Sequence, residues 1–368
     1  MQHVLCCIRA EESVANSAEL QTETYPKALL LFLQSKTTTM IMMMESTNGS
    51  AFPNEFFVYT PVPETPWEFA LNALQLLIGV IGAVGNGLVC VVIWKVRRQQ
   101  NYTNSLIVSQ SAIDFVTSIL LIANIISLSA AAQPPENFTL AVLYCTFWHS
   151  RVILFGCWAI STFNLTAIAI ERYLAIMHPI WYQQTFTRKH AWILATTAWL
   201  IAPIMETIGG KQYVLEQGRC AFVISKKEKA ILGVLTVLWD YAIPASIMAF
   251  AFIRIAIRLN QVQNSALVAD DDQLKEKILK RKNITKTLFF VFALYIICWT
   301  PEQISYLQFT LGGRLEFGGV WHTIALILAT SNSAVNPFVY ALRFKQYKEG
   351  VKSLCSKLKK CSNHSNPN

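Results

Sequence analysis

Apolar residues run along this chain in seven long, nearly uncharged stretches, at roughly 67–94, 104–132, 145–176, 191–208, 230–256, 287–311 and 318–342. Each is close to or above the ~20 residues that a helix needs to cross a bilayer. The runs are continuous and do not alternate, which excludes the strands of a membrane β-barrel. Trp67, Trp94, Trp181, Trp192 and Trp321 stand near the ends of runs, where amphipathic rings favour the headgroup layer. The pattern predicts an all-α membrane protein, a seven-transmembrane helix bundle over 67–342. A tail at 1–66 is expected to be disordered, and a second tail follows at 343–368.

Composition narrows the class. Of 368 residues, 53% are hydrophobic and 14% are charged, against about 25% charged in soluble domains. A soluble globular protein and a disordered one are both excluded. The net charge of +9 needs no nucleic acid. If the loops after stretches 1, 3 and 5 and the C-terminal tail share one side, that side, counted with Arg172 and Arg254 at the adjoining ends of stretches 3 and 5, holds 21 of the 31 Lys/Arg, among them Lys95, Arg97, Arg98, Arg188, Lys189, Lys280, Arg281, Lys282, Lys345 and Lys348. The positive-inside rule then puts this side in the cytoplasm and the N-terminus outside, the topology of a multi-pass membrane protein. The 1–66 tail carries seven Glu against three Lys/Arg.

On this topology Asn48-Gly-Ser and Asn137-Phe-Thr lie outside and are glycosylation candidates, whereas Asn164-Leu-Thr falls within stretch 3. The apolar run at 28–33 is short for a signal peptide and lacks a basic start. The first span can serve as its own insertion signal. The Met40–Met44 run raises translation from near Met44 as a second start, which peptides from 1–40 in the native protein would exclude. Nine cysteines without CxxC or zinc spacing fit one outer disulfide plus free or lipidated thiols.

Polar residues inside the spans are costly and need partners or a task. Asp114 sits in the middle of stretch 2. Asn86 follows Gly85 in stretch 1, Ser161 lies in stretch 3, and Ser331, Asn332 and Asn336 lie in stretch 7. Together they form one polar cavity that suits a small hard cation such as Na⁺, with Asp114 as its carboxylate. Alternatively, the same atoms satisfy one another as packing glue.

Glu171-Arg172-Tyr173 ends stretch 3, where an acid and an always-charged base can pair and exchange partners when helices move. Counting back 11 and 18 residues from Arg172 reaches Ser161 and Leu154, on the same helix face. Pro301 in Cys298-Trp299-Thr300-Pro301 and Pro337 in Asn336-Pro337-Phe338-Val339-Tyr340 each remove a helical hydrogen bond. Each makes a hinge, though Pro is also common in membrane helices.

Gly85-Asn86, Asp114, Glu171-Arg172-Tyr173, Trp199, Pro244, CWTP and NPFVY, in this order and spacing over about 67–355, resemble the rhodopsin-like (class A) G-protein-coupled receptors. The resemblance implies a ligand pocket at the outer end, an outward swing of helix 6, and a cytoplasmic groove for a heterotrimeric G protein. It maps the family's outer disulfide onto Cys145 and Cys220. It gives RFKQYKEGVKSL, from Arg343, the place of a short amphipathic helix 8, with Cys355 as a palmitoylation candidate that would meet membrane lipid. Arrestin is a further implied partner, through Ser353, Ser356, Ser362 and Ser365.

Some positions depart from the pattern. Cys145 lies two residues further from Arg172 than usual, so either helix 3 bulges or the cysteine sits further into the loop. Ser109, Gln110 and Ser111 replace Asn-Leu-Ala, Phe252 replaces a Tyr, and Arg281 replaces an acid that would pair with Arg172.

Leu154 stands where amine receptors carry an Asp, and Thr330 where opsins carry a Schiff-base Lys. The outer half instead offers Glu206, Asp240 and Glu302, with Arg151, His149, Gln303 and His322, and with Trp158, Trp239, Trp299 and Tyr306 as aromatic walls. Three carboxylates against one Arg favour a ligand with a cationic group, a peptide or neuropeptide, with a non-standard amine as the alternative. A second alternative pairs Glu206 with Arg151 and turns Asp240 towards a neighbouring helix. An intramembrane enzyme, transporter or channel is disfavoured: no zinc motif, paired catalytic carboxylates or Ser/His/Asp set stands in the sequence, and no inverted repeat is visible.

Overall fold

The computed structural model describes residues 54–58, 66–95, 102–130, 132–268, 272–313, 320–343, 350–352 and 356. Seven helices are long and apolar enough to cross a membrane. They are built on α1 (Pro66–Lys95), α2 (Tyr102–Ser129), α3 (Val152–Met177), α4 (Arg188–Ile201, extended by the short helix Ile204–Gly210), α5 (Ile243–Val268, preceded in the same span by the helix Lys226–Val237), α6 (Asp272–Thr310) and α7 (Val320–Arg343). Contacts of α1 with α2 and α7, of α3 with α2 and α5, and of α6 with α5 and α7 close a ring, and α4 packs outside on α3 and α2. The third span is 78% buried over its most apolar window and the fourth only 22%. The third span is therefore the axis of the bundle.

The perimeter is apolar, with Val84, Phe250, Ile253 and Ile297 all more than half exposed. A bilayer contributes no hydrophobic drive between helices, so close approach must come from small residues and polar bonds. Gly82 and Gly85 do this for α1. A Cβ on Gly82 would run into Ser118 Oγ, and one on Gly85 would stand 2.9 Å from Pro337 Cγ. Asn86, fully buried, donates to Gly82 O at 2.9 Å and Ser333 O at 2.8 Å, tying α1 to α7.

The entry into α3 settles the long Cys145–Arg172 spacing. Asn137 caps a short helix, Phe138–Leu143, which runs into a π-turn over Tyr144–His149, and Arg151 then takes a left-handed backbone (φ 59°) before α3 begins. The two extra residues are absorbed as a bulge. A non-glycine residue held with positive φ is strained, and such strain gathers at functional sites. A second π-turn, Leu238–Ala242, precedes α5 and Pro244.

A small antiparallel sheet, ordered β1-β3-β2, caps the same end and departs from the purely helical expectation. It comprises β1 (Asn54–Val58), β2 (Tyr213–Glu216) and β3 (Arg219–Ser225). Gln217 and Gly218 both have positive φ, as a two-residue primed hairpin turn between β2 and β3 requires. Because β1 pairs with β3 from Asn54↔Ser225 to Val58↔Ala221, this part of the 1–66 tail is ordered, against expectation. Such a sheet leaves no long apolar run, so the hydropathy pattern did not reveal it. Cys145 and Cys220 form a disulfide that fastens β3 to the first π-turn.

At the opposite end the LKEKILKRK stretch continues α6 as one helix from Asp272. Val351 is buried against the core. Asn48, Arg97, Arg98, residues 344–349, Ser353, Cys355, Ser362 and Ser365 lie outside the described residues, and so does most of the expected helix 8.

Candidate functional site

Three polar layers run down the bundle. In the middle, Asp114 is fully buried. Ser161 Oγ donates to its Oδ1 at 2.8 Å, and Gln110 Nε2 and Asn336 Nδ2 donate to its Oδ2 at 3.0 and 2.8 Å. Helices α2, α3 and α7 thus converge on one carboxylate. Asn86 and Asn332, assigned to this cluster from sequence, are buried in the same core but are not among these donors. Asn86 holds backbone carbonyls instead. Gln110 and Asn164 are the members that sequence reasoning missed. Gln110 lies four positions before Asp114, on the same helix face, which is the signal that could have found it.

At the Arg172 end, Glu171 is fully buried and forms a bidentate pair with the neighbouring Arg172, with Nε–Oε2 at 2.6 Å and Nη2 on Oε1. Tyr182, from the short helix Pro179–Thr185, donates its hydroxyl to Glu171 Oε1. Desolvation, then the Glu171 carboxylate, holds the Tyr182 phenol well above its ordinary range, so it remains a donor. Tyr173 packs against His178 and Phe250. Phe252 packs edge-on against Phe289 and tilted against Phe292. Tyr340 is 1% exposed and Pro337 lies beside Gly85.

At the disulfide end, Leu154 and Trp158 are buried on α3, and Trp158 meets Trp299 edge to face with centroids 5.5 Å apart. Among the described residues, Trp299 Nε1 is buried without a hydrogen-bond partner, as are Asp240 Oδ1, Glu302 Oε2 and Gln303 Oε1. Glu206, on the helix Ile204–Gly210, meets the carboxyl of Asp240, and Tyr306 lies within the field of both. The neighbour of Glu206 is therefore an acid. The alternative pairing with Arg151 does not hold; the charge of Arg151 acts on His149, Tyr213 and His322. Trp239 packs at a tilt against Phe163 and donates to Ala202 O at 3.2 Å, so it serves the seam between α3 and the fourth span.

Two cross-helix bonds link this layer to the middle of the bundle: Tyr295 Oη to Asp240 O at 3.2 Å, and Tyr241 Oη with Thr300 Oγ1 at 2.5 Å. Neither was foreseen, because a Tyr within an apolar run reads as packing until its partner is known.

Residues 85–340 match the family model described as 7 transmembrane receptor (rhodopsin family). The chain is 29% identical to human (Homo sapiens) neuromedin-U receptor 1, over 79% of this chain and 74% of the relative. It is 28% identical to galanin receptor 2b of Danio rerio, over 79% and 76%, and 25% identical to the human (Homo sapiens) histamine H2 receptor, over 82% and 83%. A match that takes in the Asn86, Asp114, Arg172, Pro301 and Pro337 positions, on a bundle of seven spans, makes this chain a member of the rhodopsin family of seven-transmembrane, G-protein-coupled receptors.

Proposed function

We propose that this receptor stands in the plasma membrane with its N-terminus outside and binds a peptide or neuropeptide-like ligand through a cationic group. The observation that carries this reading is the acceptor excess at the disulfide end. Among the described residues, Asp240 Oδ1, Glu302 Oε2 and Gln303 Oε1 are buried without partners, and Glu206 and Asp240 face each other. Two facing carboxyls call for a proton or a positive charge between them. An ammonium or guanidinium supplies the missing donors, and buried acceptors left unmade are costly. Arg151 and His322 fit carbonyl or carboxylate oxygens of the same ligand, as a peptide would offer.

Relatives that are receptors for neuromedin U and galanin favour a peptide, and relatives that are receptors for histamine and adenosine favour a small molecule. Leu154, where amine receptors carry an Asp, supports the first group. The test is a peptide and amine panel applied to the receptor with a promiscuous G-protein readout. Glu302→Gln and Asp240→Asn should each weaken the agonist by about 1–3 kcal/mol if charge-assisted bonds form. Unchanged potency in both variants removes the acidic-pocket reading. Arrestin as a second partner, and glycans on Asn48 and Asn137, belong to the same proposal. Asn137 is exposed, and its Oδ1 accepts from Leu140 N at 3.1 Å, a bond that does not use the amide nitrogen a sugar would need.

A further inference from the structure

A carboxylate ringed by hydroxyls and amides invites a small hard cation, and the atoms around Asp114 test that fit. Sodium binds through oxygen lone pairs, preferring several hard oxygen ligands. Here donors already occupy Asp114 Oδ2 twice, Asp114 Oδ1 once and Ser161 Oγ once. Ser161 Oγ, bonded to Asp114 Oδ1, accepts from Gln110 Nε2 at 2.6 Å while donating to Asp114 at 2.8 Å. The same Gln110 nitrogen reaches Asp114 Oδ2 at 3.0 Å. One amide nitrogen with two protons therefore bridges the two oxygens that a cation would bridge.

Gln110 is also held in that orientation. Its Oε1 accepts from Asn164 Nδ2 at 3.0 Å, and Asn164 Nδ2 also reaches Leu106 O at 3.2 Å. Turning the amide over would set Oε1 against the Asp114 carboxylate and take the acceptor from Asn164. Both residues are fully buried, so water does not compensate. Ser333 Oγ and Asn86 Oδ1 are further buried oxygens on α7 and α1. Ser333 stands beside the Asp114 carboxylate, where its hydroxyl serves as one more donor rather than as an oxygen held open for a cation. The residues present do not fit sodium.

We infer that Gln110 is a built-in substitute for a cation. Its amide fills the place between Asp114 and Ser161, keeps sodium out, and makes the stability of the receptor independent of sodium. The position was visible in the sequence only as a departure from the family's leucine; its consequence follows from the three partners of its side chain.

The test measures melting of the purified full-length receptor in nanodiscs, with sodium chloride exchanged for choline chloride at constant ionic strength. Wild type should melt at the same temperature in both salts. Gln110→Leu should gain a saturable upward shift of several degrees with sodium, the signature of a ligand that binds only the folded state. Adding Asp114→Asn should abolish that gain. A saturable sodium response in wild type overturns the inference. So does a flat response in both proteins, because Gln110 is then not what excludes the ion. If the leucine variant does not fold, Gln110→Met, of similar length, is read in the same way, and if neither folds the wild-type response decides. Nucleotide exchange on added G protein, run on the same preparation, tests the receptor reading separately.

Discussion

Tyr295 of α6 donates its hydroxyl to the main-chain carbonyl of Asp240, 3.2 Å away, while the side chain of Asp240 faces Glu206. One residue thus meets the acidic layer with its carboxyl and holds α6 with its backbone. That carbonyl is available because its ordinary helical partner four residues on is Pro244, which has no N–H to donate. On the proposed binding mode, a ligand that moves Asp240 acts directly on α6, the helix whose swing the family resemblance implies.

Tyr295→Phe removes this bond and keeps the ring. A hydrogen bond of this kind contributes about 1 kcal/mol, a factor of roughly five in a two-state balance. Basal nucleotide exchange on added G protein should rise by about that factor, while expression stays near wild type. An unchanged basal rate would show that the bond does not hold α6 in place.

The Glu171–Arg172–Tyr182 triad gives a graded prediction at the other end. Glu171→Gln leaves Arg172 without its charge partner, and breaking a buried pair this way costs up to about 3–5 kcal/mol. Tyr182→Phe removes a single donor and should cost about 1 kcal/mol. Both should raise basal exchange, the first more than the second. Because the Tyr182 phenol titrates well above its ordinary range, the effect of Tyr182→Phe should not change between mildly acidic and mildly alkaline buffer.

Replacing both disulfide cysteines, Cys145→Ser with Cys220→Ser, releases a crosslink between positions 75 residues apart. Chain-entropy reasoning puts the loss at about 4 kcal/mol. A lower melting temperature, read by differential scanning in detergent, should accompany loss of ligand binding, since β3 and the first π-turn lose the covalent tie between them.

Gly82→Val should destabilise the seam between α1 and α2. Its Cβ would collide with Ser118 Oγ, and overpacking of this kind costs about 1–3 kcal/mol. Gly209→Ala is the control, because a Cβ there meets nothing within 4 Å. Thermal melts of the two variants should separate clearly.

Much of the architecture could be read from residue order. The span limits around 67–94 and 318–342 fall within a few positions of the observed α1 and α7, because apolar length is a local property. The Cys145–Cys220 bond and the burial of Ser161 and Leu154 on one face followed from the family resemblance and from helical spacing. The left-handed Arg151, the strand at Asn54–Val58 and the turn of Tyr182 towards Glu171 were not foreseen, because none leaves a periodic mark.

The sequence by itself decided how many times the chain crosses the bilayer, since a hydrocarbon layer sets the same apolar length for every helix whatever its neighbours. It also decided that costly polar groups such as Asp114 lie within the spans. Only the tertiary structure decided which groups meet them. The donors to Asp114 come from positions 4, 47 and 222 residues away. Whether those atoms close to hydrogen-bond distance depends on the rotation and approach of three separate helices, which hydropathy does not encode. For the same reason Gln110, a mere departure in the sequence, became the centre of the polar core once its partners on α3 were in place.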